Sequence, residues 1–100
     1  MQSLIEHIPD LLKKYTIDLD QGSWNGEIEL EFKQWCIRFT AIIMADYDIY
    51  LGDWFNQTEY ELKNRSVAII NLEAFMHDEP IVLKTKEEEE IINTLIDNLK

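Results

Sequence analysis

One hundred residues, 46% hydrophobic and 11% aromatic with only three Gly and two Pro, suffice for one hydrophobic core and exclude a disordered chain. Nine Lys and Arg against twenty Asp and Glu leave a net charge of −11, spread over both halves, which repels nucleic acid and anionic membrane because phosphate binding needs clustered cations. A lone Cys36, the absence of a long uncharged apolar run, and an N-terminus without a cationic and then apolar leader speak against a disulfide framework, a membrane span and an export signal.

A second independent core is not expected at this length, so residues 1–100 are read as a single domain. The expected setting is soluble and cytoplasmic.

Leu4, Ile5, Ile8, Leu11, Leu12 and Tyr15 recur at helical spacing, and Ser3 with Glu6 fits a capping box. Pro9 deletes an amide donor, so the firm part of this helix is expected to begin there. Thr16 to Asp20 alternates as a short edge strand would, and Gln21-Gly22-Ser23 reads as a turn.

From Glu27 the alternation of Ile28, Leu30 and Phe32 with Glu27, Glu29 and Glu31 predicts a half-buried strand. A second strand carries Trp35, Ile37, Phe39, Ala41 and Ile43 on one face and Cys36, Arg38 and Thr40 on the other. Folding the two about Lys33-Gln34 sets Phe32 opposite Trp35, Leu30 opposite Ile37 and Ile28 opposite Phe39, with Arg38 meeting Glu29 outside. Those two turn residues lack the Gly or Asn that such a hairpin favours, so a longer loop is an alternative.

The same alternation runs through Ala45, Tyr47, Ile49 and Leu51, giving a strand too long for a compact domain. A bend or bulge is expected near Ala45-Asp46. Gly52 to Arg65 reads as a loop with partial strand character.

Ser66 to Met76 predicts a central strand with Ala68, Ile70, Leu72, Ala74 and Met76 on one face. A turn over His77-Asp78-Glu79-Pro80 and the run Ile81-Val82-Leu83 lead to a closing helix. Thr85 and Glu88 suggest its capping box, and Ile91, Ile92, Leu95, Ile96 and Leu99 form its apolar stripe.

The fold class that follows is α+β: three or four antiparallel strands in a meander with both terminal helices on one face. Ile28, Leu30, Phe32, Trp35, Ile37, Phe39, Ile70 and Leu72 are expected to face Leu11, Leu12, Ile92, Leu95 and Ile96.

Chemical motifs are sparse. Asp18, Asp20 and Glu29 fall at calcium-loop positions, but Ser23 stands where Gly is needed and a strand follows where a helix belongs. His77-Asp78-Glu79 cannot converge on one ion, and His7 lies far along the chain. Glu87 to Glu90 suit the first turns of a helix, where unpaired amides favour negative charge. Cys36 faces Glu31, a neighbour that disfavours the thiolate.

No metal, cofactor or catalytic residue is therefore expected, and the chain is read as a non-enzyme. An enzyme whose site is assembled from scattered Asp, Glu and His stays open, to be revived by carboxylates converging in a deep pocket.

The remaining candidate site is acidic: Glu27, Glu29 and Glu31 in a row, then Asp46, Asp48, Asp53, Glu59 and Glu61 interleaved with Trp54 and Tyr60. Such a surface suits a protein-binding module of the inhibitor, immunity or regulatory kind, with aromatic anchors facing a basic partner. The stretch with Asp46, Asp48, Asp53 and Trp54 is expected to be a loop holding the contact, with Trp54 plugging the sheet edge as the alternative.

A nucleic-acid-mimicking decoy is the second reading. It requires at least two aligned carboxylate rows, because alternate strand residues space charge at about 6.7 Å, sparser than duplex phosphates.

The closing segment, with Leu72-Glu73-Ala74-Phe75, an acidic turn with Pro80, Ile81-Val82-Leu83 and a Glu-rich helix, resembles small uncharacterised proteins of phages and bacterial mobile elements over residues 66–100. The resemblance implies a structural or accessory phage role as a further alternative and transfers no functional residue.

Overall fold

The computed structural model describes residues 1–19, 22–51 and 58–100, and for 46–51 and 58–64 the backbone path alone. Helix α1 (Gln2–Leu12) is followed by strands β1 (Ser23–Phe32), β2 (Trp35–Leu51), β3 (Thr58–Met76) and β4 (Glu79–Ile81) and by helix α2 (Thr85–Leu99). The strands form one antiparallel sheet in the order β1-β2-β3-β4, an α+β meander.

Helix α1 begins at Gln2 and carries Pro9 inside it. Leu4, Ile5, Ile8 and Leu12 form the buried face that holds it together, while Pro9 sits exposed and its missing amide costs one bond to the Ile5 carbonyl. Ser3 and Glu6 lie within the helix instead of at its boundary, so the expected capping box does not form and Met1 is the cap. Thr16 to Leu19 is not a strand, while Asp20 and Gln21 lie outside the described residues. The Gly22 amide donates to the Leu19 carbonyl at 2.8 Å, and Gly22 takes a φ of 84° that favours glycine.

Strand β1 starts at Ser23, four residues before the alternating glutamates. Here Trp24 folds back over Gly26, whose added Cβ would lie 2.7 Å from the indole ring, so a glycine is needed beneath that half-buried side chain. The β1–β2 hairpin has the expected register, from Phe32↔Trp35 through Leu30↔Ile37 and Ile28↔Phe39. Its two-residue turn is closed by Lys33, which takes a φ of 55° despite having a Cβ.

Strand β2 runs for 17 residues, longer than compactness suggested, and the molecule is 61 Å in its longest dimension. The irregularity expected near Ala45-Asp46 takes the form of a register shift between Asp46 and Tyr47 in the pairing with β3, without ending the strand. Strand β3 begins at Thr58, so residues 58–65 are strand, not loop; residues 52–57 lie outside the described ones.

A second shift explains the main departure from the expected core. Thr40 pairs with Ile70 and Arg38 with Glu73, so Asn71 and Leu72 together oppose Phe39. Asn71 adopts a φ of 56°, as the first residue of such a bulge requires. The bulge reverses the phase of β3. Leu72 and Ala74 pack on the core side, but Ile70 turns outward to 43% exposure, and Val67 and Ile69 take the inward positions.

His77 and Asp78, with φ of 50° and 65°, make a two-residue turn, after which Glu79 to Ile81 is a short strand and not part of the turn. In α2 the cap is Lys84. Thr85 is already helical and makes no capping bond, while Glu87 and Glu88 in the first turn complement the helix dipole.

Both helices pack on one face of the sheet. Leu4, Ile8, Ile91 and Leu95 meet Ile28, Leu30, Ile37 and Phe39, all 2% exposed or less. Leu11, Ile92 and Ile96 are only half-buried; Ile5, Leu12 and Leu99 carry the burial instead. Phe32 and Trp35, also half-buried, close the hairpin end, where the His7 ring stacks on Phe32 with centroids 3.9 Å apart.

Candidate functional site

The helices cover one face of the sheet, and the pairing of β1, β2 and β3 sets out the other as cross-strand rungs. From the hairpin upward they are Glu31–Cys36–Phe75, Glu29–Arg38–Glu73, Glu27–Thr40–Ile70, Asn25–Ile42–Ala68 and Ser23–Met44–Ser66. The three lower rungs carry charge, and the two upper ones are uncharged, with apolar Ile42, Ala68 and Met44 flanked by Asn25, Ser23 and Ser66.

Arg38 organises the charged end. Its Nε lies 3.4 Å from a Glu27 carboxylate oxygen and 3.6 Å from one of Glu29, and its guanidinium stands 5.2 Å from the Phe75 ring centroid. The three side chains are between two fifths and two thirds exposed, so each contact adds little stability while together they fix the arginine's direction.

Cys36 sits beside them, its thiol donating to a Glu29 carboxylate oxygen at 3.6 Å. Partial burial, the adjacent Glu29 charge with its hydrogen bond, and Glu31 outweigh Arg38 and push the thiol up to about 11. Near neutral pH it is a protonated donor and a poor nucleophile. Ligand atoms of Glu29, Glu31 and Cys36 lie within 4.8 Å of one another; the thiol hydrogen bond draws Glu29 to Cys36, and Glu31 is the cross-strand neighbour of Cys36.

At the uncharged end, Met44 is 56% exposed, with Ala68 exposed and Ile42 half-buried on the next rung, and Ile70 is exposed on the adjoining rung with Glu27. Buried polar or charged side chains are absent among the described residues, and the principal hollows are shallow, each about 260 to 370 Å³.

Of the residues singled out from sequence, Glu27, Glu29 and Glu31 share this face. Asp46 and Asp48 lie in β2, and Glu59, Tyr60 and Glu61 in β3, where the backbone pairs Asp46 with Asn64, Asp48 with Glu61, Ile49 with Tyr60 and Tyr50 with Glu59. Asp46 and Asp48 are therefore strand residues, not loop residues, and Asp53 and Trp54 lie outside the described residues.

Sequence reasoning missed the apolar end. Its signal was present in Ile42 and Met44, two large apolar residues on the even, nominally polar positions of β2. The contribution of Ile70 and Ala68 depends on the Asn71 bulge and carried no such signal.

No helix among the described residues is long and apolar enough to cross a membrane. Comparison with protein-family models, with curated proteins and with solved structures gives no match to this chain.

Proposed function

We propose that this protein is a small non-catalytic binding module of the cytoplasm that engages a basic protein partner through the uncovered face of its sheet. The observation that carries this reading is the graded face itself. Met44, Ile42, Ala68 and Ile70 form an apolar group beside Glu27, Glu29, Glu31 and Glu73, on a chain of net charge −11.

Apolar residues next to like charges on an uncovered sheet suit a partner that brings its own apolar anchors with Lys and Arg around them. The decoy reading is weaker at the β1 row because Arg38, on the neighbouring strand β2, pairs with two of its three carboxylates, Glu27 and Glu29.

The test is capture from native lysate by wild-type protein and by the Met44→Ser, Ile70→Ser double variant, with elution in rising salt. Both residues are exposed, so the variant should fold with an unchanged Tm. It should lose a salt-sensitive partner that wild type retains. Equal capture by the two proteins overturns the assignment of this face, as does the absence of any salt-eluted partner.

A further inference from the structure

The two outer strands finish their edges differently. On β1 the Tyr15 hydroxyl donates to the Glu29 carbonyl at 2.7 Å and accepts from the Glu29 amide at 3.1 Å, so a side chain occupies the place of a neighbouring strand. On β3, β4 pairs only with Ala74, Phe75 and Met76. From Ser66 to Glu73 no strand lies along that edge among the described residues.

Where β4 departs, a notch of about 360 Å³ opens between Leu72, Glu73 and Phe75 of β3, the connecting residue Val82 and Glu88 of α2. Val82 is 98% exposed. The carboxylates of Glu73 and Glu88 make no ion pair among the described residues.

We infer that the free edge of β3 takes up an extended segment of the basic partner, continuing the sheet from the point where β4 stops. This rests on the protein-binding reading and specifies how the partner is held. An open edge presents a row of main-chain donors and acceptors that another extended backbone can pair with along its length. An apolar side chain of the segment fills the notch against Leu72 and Val82, and Lys or Arg side chains lie opposite Glu73 and Glu88.

A second copy of this chain is a poorer occupant. Two chains of charge −11 repel, whereas a basic segment is attracted.

The probe is a fluorescent ten-residue peptide alternating lysine with valine and threonine, added to the full chain and followed by anisotropy and by amide hydrogen exchange. Three controls accompany it: the same peptide N-methylated at alternate residues, its glutamate counterpart, and the Glu73→Gln, Glu88→Gln variant. Strand addition predicts slowed exchange within residues 66–73 and at least tenfold weaker binding of the N-methylated peptide. It also predicts no binding of the glutamate peptide and severalfold weaker binding to the variant.

Equal affinity of the parent and N-methylated peptides, protection confined to residues outside 66–73, or no binding of the lysine peptide overturns the inference. If strand addition fails while capture still depends on Met44 and Ile70, the face reading stands alone. If capture is indifferent to those residues while residues 66–73 are protected by the peptide, the edge is the site and the face is not.

Discussion

Tyr15 and Glu29 are 14 positions apart in the chain, yet the tyrosine hydroxyl satisfies both main-chain groups of the glutamate on the outer edge of β1. The glutamate side chain is left to the opposite task, receiving Arg38 and Cys36 on the uncovered face. One residue thereby links the segment after α1 to the sheet and leaves the acidic row in place.

Tyr15→Phe removes both bonds and keeps the ring packed. Each is worth about 1 kcal/mol net, so a loss of about 1 to 2 kcal/mol is expected by chemical denaturation. The Glu29 amide should exchange faster in the variant while the Ile28 and Leu30 core is unaffected. Unchanged stability together with unchanged Glu29 exchange would show that this edge is not closed by Tyr15.

Asn71→Gly and Asn71→Val test the bulge. Glycine tolerates the φ of 56° and should change stability by a few tenths of a kcal/mol, whereas valine, branched at Cβ, should cost about 1 to 3 kcal/mol. Similar stability of the two variants would contradict the phase reversal of β3.

Arg38→Met removes the cation that lies between Glu27 and Glu29 while keeping an apolar stem near Phe75. The expected cost is about 0.5 to 1 kcal/mol at low ionic strength, because the pairs are exposed. The difference in Tm between variant and wild type should shrink as salt is raised to about 1 M, where the screening length is about 3 Å. A gap indifferent to salt would assign the arginine's role to packing.

For Cys36, alkylation by iodoacetamide should be slow near neutral pH and rise toward an inflection at about 11. Glu29→Gln should bring the inflection down by removing the adjacent charge. Folding linkage has a definite sign: the unfolded thiol loses its proton near 9 while the folded one holds it to about 11, so the folded state binds more protons in between. The stabilisation is present below about pH 9 and is lost as pH rises through about 11. Faster alkylation in the folded than in the urea-unfolded protein at pH 9 would refute the shift.

The α+β class, the meander and the β1–β2 register were legible in the sequence because they are set by local rules. Alternation over Glu27 to Phe32 and over Trp35 to Ala41 determines which side chains share a face, and a one-residue slip would have buried Glu29 and exposed Ile28 and Leu30. The terminal helices were legible from their apolar stripes, although their caps were not, since a boundary shift of one or two residues moves Ser3, Glu6 and Thr85 inside the helix.

Only the tertiary structure decided the rest. In β3 both alternating sets are apolar, Val67 and Ile69 against Ala68 and Ile70, so local pattern could not choose between them. The choice is made at Asn71, where an extra residue opposite Phe39 reverses the phase once Leu72 and Ala74 have packed inward. That single left-handed residue turns Ile70 out onto the same face as Met44, and so a strand that reads as core from its composition contributes apolar surface to the candidate site.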